Sequence, residues 1–143
     1  PYFTKLVVLA AFLASSNPSS ADGRLFSVGG RRKRRRKDPK AADRRGDQAL
    51  EAKLLGPGAF TVERLMAIFS CLVRSEWGEE EEDWAPIEYA AHGVSTYSAV
   101  RELVALRVLS QGGGDLLEGA RYRCNVPESV ARELARATGV ALD

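Results

Sequence analysis

The sequence predicts a mainly α chain with a small sheet, an α+β class, interrupted by a disordered basic insertion. Three observations predict it. Apolar residues recur at helical spacing in three separate stretches. One short stretch, "RYRCNV", alternates apolar and polar residues with period two, the signature of a half-buried strand. After the first helical stretch comes a segment with almost no large apolar side chains and a dense run of like charge. With 143 residues and 45% hydrophobic content, there is material for one core of moderate size.

Residues 1–16 read as an apolar helix. Leu6, Leu9, Ala10 and Leu13 recur at helical spacing, and Phe3, Val7 and Phe12 widen the face. A face that broad needs other elements to cover it. The same letters, "PYFTKLVVLAAFLASSNP", also fit a secretory signal peptide: a lysine, a short apolar run, then small residues. The apolar run Leu6–Ala14 has nine residues, whereas a bilayer span needs about twenty. "SSNPSS" ends the helix, because Pro18 and the Asn and Ser around it favour turns. A first residue that is Pro1 and not Met, followed at once by aromatic and apolar residues, is what a fragment or a truncated gene model presents.

Residues 17–53 are the basic insertion. From Arg24 to Lys53 there are twelve Lys/Arg against four Asp/Glu, a net of +8, while the rest carries nine against fifteen, a net of −6. Such a segment buries too little apolar surface to offset its ordering entropy, so disorder is expected, with Leu25, Phe26 and Val28 available for local docking.

Residues 54–143 hold the remaining elements. After a Gly-Pro-Gly turn, residues 61–74 form an amphipathic helix with Thr61 as N-cap and Glu63 in the first turn. Its stripe is Val62, Leu65, Met66, Phe69, Leu72 and Val73, all read as core. "SEWGEEEEDWAP" is an acidic, solvated loop. Residues 96–109 form the next helix, capped by Ser95 or Thr96, with Tyr97, Val100, Leu103, Val104 and Val108 facing the core. "SQGGGDLLEGA" turns the chain into the strand "RYRCNV". A short closing helix follows, with Pro127 in its first turn and Gly139 as its stop. Helix, helix running into a short strand, glycine-rich turn and returning strand is the order of a winged-helix-type domain, with "QGGGDLLEGA" as the wing.

An enzyme reading finds little to rest on. The sequence has neither a G-x-x-x-x-G-K-[ST] phosphate loop nor a G-x-S-x-G nucleophile elbow. "GGG" at 112–114 reads as a turn, and His92 has no partner at catalytic or metal-ligand spacing. Cys71 and Cys124 stand apart in apolar settings and read as free thiols in a reducing compartment, with a disulfide between them the lesser reading. The strongest chemical signal is Arg31, Arg32, Lys33, Arg34, Arg35, Arg36 and Lys37. Seven consecutive cations release condensed counterions on meeting DNA or RNA, giving salt-sensitive affinity without sequence preference. They equally suit a nuclear import signal, and the two roles can coexist; a solvated insertion with neither role is the plain alternative. The outward face of the 96–109 helix offers Ser98, Arg101, Glu102 and Arg107, a mixture of charges poorly suited to reading bases and as well suited to protein. Arg121 and Arg123 on the returning strand are the candidate phosphate contacts.

Three blocks in order, "PYFTKLVVLAAFLASSNP", "LLGPGAFTVERLMAIFSCLV" and "LEGARYRCNV" with the closing helix, resemble the C-terminal region of origin recognition complex subunit 5. The resemblance implies a nuclear subunit of the ring that marks replication origins, with an AAA+ ATPase module preceding this region. It makes 1–16 an internal helix, either of the ATPase lid or the first element of the winged helix. It further implies packing against other subunits, notably 3 and 4, and largely non-specific contact with duplex DNA, with no membrane role. The chain shows none of the ATPase motifs, so ATP is expected only in the missing module and no cofactor is assigned here. The Arg-rich run has no counterpart in the family pattern. A free-standing winged-helix DNA-binding protein and a small secreted protein are the competing readings.

Overall fold

The computed structural model describes residues 2–22, 56–77, 93–113 and 119–142. In chain order these form α1 (Tyr2–Ser16), a short 3-10 turn (Ser19–Ala21), β1 (Phe60–Thr61), α2 (Val62–Trp77), α3 (Val94–Ala105), β2 (Leu109–Gly112), β3 (Arg121–Cys124) and α4 (Glu128–Thr138). The three strands make one antiparallel sheet in the order β1-β3-β2. The fold is therefore mainly helical with a small sheet.

The basic run Arg31–Lys37, the apolar trio Leu25, Phe26 and Val28, residues 78–92 with His92, and 114–118 of the glycine-rich turn lie outside the described residues. Of the segment expected to lack structure, residues 17–22 are placed, in the 3-10 turn and the ion pair described below. Ser75–Trp77, read as the start of the acidic loop, belong to α2.

α1 is the centre of the core. Leu6, Val7, Val8, Leu9, Ala10 and Ala11 are all buried in succession, followed by Ala14 and Ser15. Six consecutive buried residues leave a helix no polar face, so it must be covered all round. α2, α3, α4 and β3 all pack against it. Phe3 meets Phe69 of α2 edge-on, with ring centroids 5.2 Å apart, and the Tyr2 hydroxyl donates to the Thr138 carbonyl at the end of α4. The export-tag and internal-helix readings of this stretch part here: its side chains supply much of the hydrophobic core.

α2 buries five of the six residues read as its stripe, Leu65, Met66, Phe69, Leu72 and Val73, joined by Ile68, whereas Val62 at its start is only half-buried. Thr61 does cap it, its hydroxyl accepting the Arg64 N–H at 3.4 Å, although Thr61 is also the last residue of β1. Strand thus passes into helix without a loop.

α3 departs from expectation at both ends. It starts at Val94, with Gly93 at the N-cap position and no side-chain cap. Thr96 is not a cap but is fully buried, while Tyr97, read as core, faces outward. The buried face is Thr96, Ala99, Val100 and Leu103. The helix also ends four residues early. The Val108 N–H returns to the Leu103 carbonyl and the Arg107 N–H to the Val104 carbonyl, the paired bonds of a Schellman cap. Arg107 occupies its left-handed position at φ 61°. The chain breaks here because Leu109 is needed in the sheet, buried opposite Cys124, which a continuing helix would forbid.

The end of α4 follows the sequence more closely. Gly139 stops it at φ 81°, and the Val140 N–H bonds back to Ala135. Pro127 stands one position earlier than expected, as the N-cap residue and not inside the first turn. Cys71 and Cys124 are both free thiols, half-buried and buried. Burial pushes both thiol pKa values up, opposed at Cys71 by the Arg74 charge and at Cys124 by a backbone hydrogen bond at Val126.

An L-residue in the left-handed region costs about 1–2 kcal/mol, which glycine avoids. Arg107→Gly is therefore expected to raise the unfolding free energy by about 1 kcal/mol, seen as a higher urea midpoint at unchanged m-value.

Candidate nucleic-acid interface

β3 alternates as its letters predict: Arg121 and Arg123 are exposed, Tyr122 is half-buried and Cys124 is buried. The two arginines share the outward face, Arg123 opposite Ser110 and Arg121 opposite Gly112 and Thr61. A two-residue repeat along a strand spaces their Cα atoms by about 6.8 Å.

A serine outside the sheet holds β3 in place. β1 pairs Phe60 with Tyr122 and Thr61 with Arg121, so continuing that register sets Gly58 opposite Cys124. There the ladder is opened by the Ser15 hydroxyl of α1, which accepts the Cys124 N–H at 2.8 Å and donates to the Gly58 carbonyl at 3.0 Å. The Gly58 N–H in turn donates to the Ser15 carbonyl at 2.8 Å. A Cβ on Gly58 would stand 3.3 Å from that carbonyl oxygen, tighter than ordinary packing allows.

At and just beyond the end of α1, the chain is tied a second time. Arg64 of α2 forms a bidentate pair with Asp22, Nη2 to Oδ1 at 2.7 Å and Nε to Oδ2 at 2.8 Å. The same guanidinium donates to the Ala14 carbonyl at 2.6 Å and the Asn17 carbonyl at 2.9 Å. A planar fork of five donors suits this simultaneous grip on a carboxylate and two carbonyls, which a lysine would not reproduce.

The second exposed surface is the outer side of α3. Val94 is 82% exposed, Tyr97 51% and Leu106 73%, with Ser98, Arg101 and Glu102 beside them. A shallow groove of about 380 Å³ runs along its first turns, lined by Phe3 and Thr4 of α1 and by Val94, Ser95, Ser98, Ala99 and Glu102. No helix among the described residues is long and apolar enough to cross a membrane.

Sequence reasoning identified Arg121 and Arg123, and both stand exposed on one strand face. It placed Arg107 on the helix face, whereas the residue lies in the cap beyond the helix. It missed Ser15, Arg64 and Asp22. A polar residue at the buried end of an otherwise apolar helix was the signal available for Ser15; nothing local pairs Arg64 with Asp22.

The fold defines a small α+β module with two exposed faces of different chemistry, and comparison with known proteins places it in a family. The family model describing the origin recognition complex (ORC) subunit 5 C-terminus matches residues 1–143. The chain belongs to this family. It is 38% identical to a rice protein named origin of replication complex subunit 5, over 96% of this chain and 28% of the relative. It is 31% identical to human origin recognition complex subunit 5, over 95% of this chain and 27% of the relative. The chain thus spans little more than a quarter of the length of these curated relatives. A solved structure of Drosophila ORC bound to DNA contains a chain of the same fold, with TM-score 0.63 and 24% identity, over 99% of this chain and 26% of that one.

Removing the Ser15 hydroxyl orphans a buried backbone N–H and leaves a carbonyl unpaired. Ser15→Ala is expected to cost about 1–3 kcal/mol in chemical denaturation. Ser70→Ala is the contrast: its hydroxyl oxygen is buried with no partner among the described residues, so its loss is expected to change stability by less than about 0.5 kcal/mol.

Proposed function

We propose that the chain is the C-terminal assembly module of an origin recognition complex subunit 5, of winged-helix type. In this reading it packs against neighbouring subunits, notably 3 and 4, and helps enclose origin DNA in the nucleus during initiation of replication. The observation that carries the reading is the outer side of α3. In a winged helix that reads bases, this helix enters the major groove with donors and acceptors matched to base edges. Here it exposes Val94, Tyr97 and Leu106 among charges of both signs, a composition suited to a protein partner.

DNA is met elsewhere. Arg121 and Arg123 contact phosphates from the sheet, and Arg31–Lys37 add non-specific attraction, nuclear import, or both. In this reading no catalytic role and no cofactor fall to this chain, and ATP belongs to an ATPase module elsewhere in the subunit.

The full-length protein is expected to co-purify with subunits 3 and 4, and Tyr97→Glu combined with Leu106→Asp to lower that yield at least tenfold while the circular dichroism spectrum holds. A folded full-length protein that captures neither subunit sinks the reading in favour of a free-standing winged-helix DNA-binding protein. Deleting residues 31–37 is expected to weaken binding to a short duplex and flatten its salt dependence, leaving a residue of affinity that Arg123→Ala reduces further. Complete loss on the deletion alone assigns all DNA contact to the basic run.

A further inference from the structure

The same chain ends two helices with a left-handed residue and chooses differently each time. α4 uses Gly139, the residue for which that backbone is least costly; α3 uses Arg107. Glycine at φ 61° would make a more stable fold, so stability does not explain the arginine. Strained positions cluster where a side chain is needed in a particular place.

The surroundings of Arg107 indicate what that place is. Asn125 grips this cap twice: its side-chain Nδ2 donates to the Arg107 carbonyl at 3.0 Å, and its backbone N–H donates to the Val108 carbonyl at 2.9 Å. Asn125 follows Arg123 by two residues, as Arg123 follows Arg121, so the three alternate onto one side of the β3 segment. The outward row therefore runs Arg121, Arg123, Asn125, and Asn125 fastens Arg107 to its end. Arg107 is exposed, as are Arg123 and Asn125. We propose that Arg107 is a phosphate-contacting residue, held by the strained cap and by Asn125 so that its guanidinium extends the β3 arginine row along the backbone of duplex DNA. This rests on the reading of the exposed sheet face as a duplex contact.

The test sets stability against binding in one substitution. The 143-residue chain, complete and with residues 31–37 deleted, is titrated against a fluorescent DNA duplex over a series of salt concentrations, alongside thermal melts. Arg107→Gly is expected to melt a few degrees higher yet bind several-fold more weakly, with the slope of log affinity against log salt reduced by about one. Arg107→Asn, which also tolerates the left-handed backbone, should weaken binding equally, and Arg107→Lys should keep most of it. If Arg107→Gly binds as tightly as the parent while Arg123→Ala weakens binding, the role of Arg107 is overturned and the sheet-face reading survives. If the deleted parent binds no duplex at all, the sheet-face reading fails and the role of Arg107 with it.

Discussion

The structure depends on how the C-terminal end of the central, largely buried helix satisfies its backbone. Ala14 and Ser15 in its last turn are buried, so the carbonyls that turn leaves unbonded need partners from the protein. Leu13 is answered by the backbone and side-chain nitrogens of Asn17. Ala14 is answered by Arg64, and Ser15 by the Gly58 N–H. Each answer brings in a different part of the chain. Arg64 belongs to α2, Gly58 precedes β1, and the Ser15 hydroxyl reaches β3 at Cys124. Satisfying one helix end thereby fixes the start of α2 and joins the end of β3 to the segment leading into β1.

With α1 covered, the outward sides of the surrounding elements are what remains for recognition. They differ in chemistry because they differ in what they must bury. α3 spends Ala99, Val100 and Leu103 on the core and still carries apolar residues outside, while β3 alternates strictly and shows only arginine outward, with the exposed Asn125 just past its end. One domain of the ORC subunit 5 family therefore presents a mixed apolar surface and a cationic one.

The periodicities were readable because they are local. The α2 stripe, the α4 stop and the β3 alternation each follow from a repeat of 3.6 or 2 and from a neighbouring Thr or Gly, and each stands where the letters put it. α3 was misread for a physical reason. Tyr97 looks apolar in a pattern, yet a tyrosine keeps a polar tip in water, and Thr96, read as a possible cap, is buried because the helix begins two residues earlier, at Val94. Of the candidate site, the two strand arginines were legible by alternation. The place of Arg107 was not, because a left-handed arginine carries no sequence signature.

The sequence alone determined which residues are apolar, at what spacing, and hence that α1 needs cover, that α2 is amphipathic, that a short helix closes at Gly139 and that β3 shows its arginines. Only the tertiary structure decided the polar connections that hold these parts together. Ser15 meets Cys124 across 109 positions and Arg64 meets Asp22 across 42. Hydrogen bonds between such distant groups depend on where packing brings two backbones to within about 3 Å, and no short-range pattern encodes that.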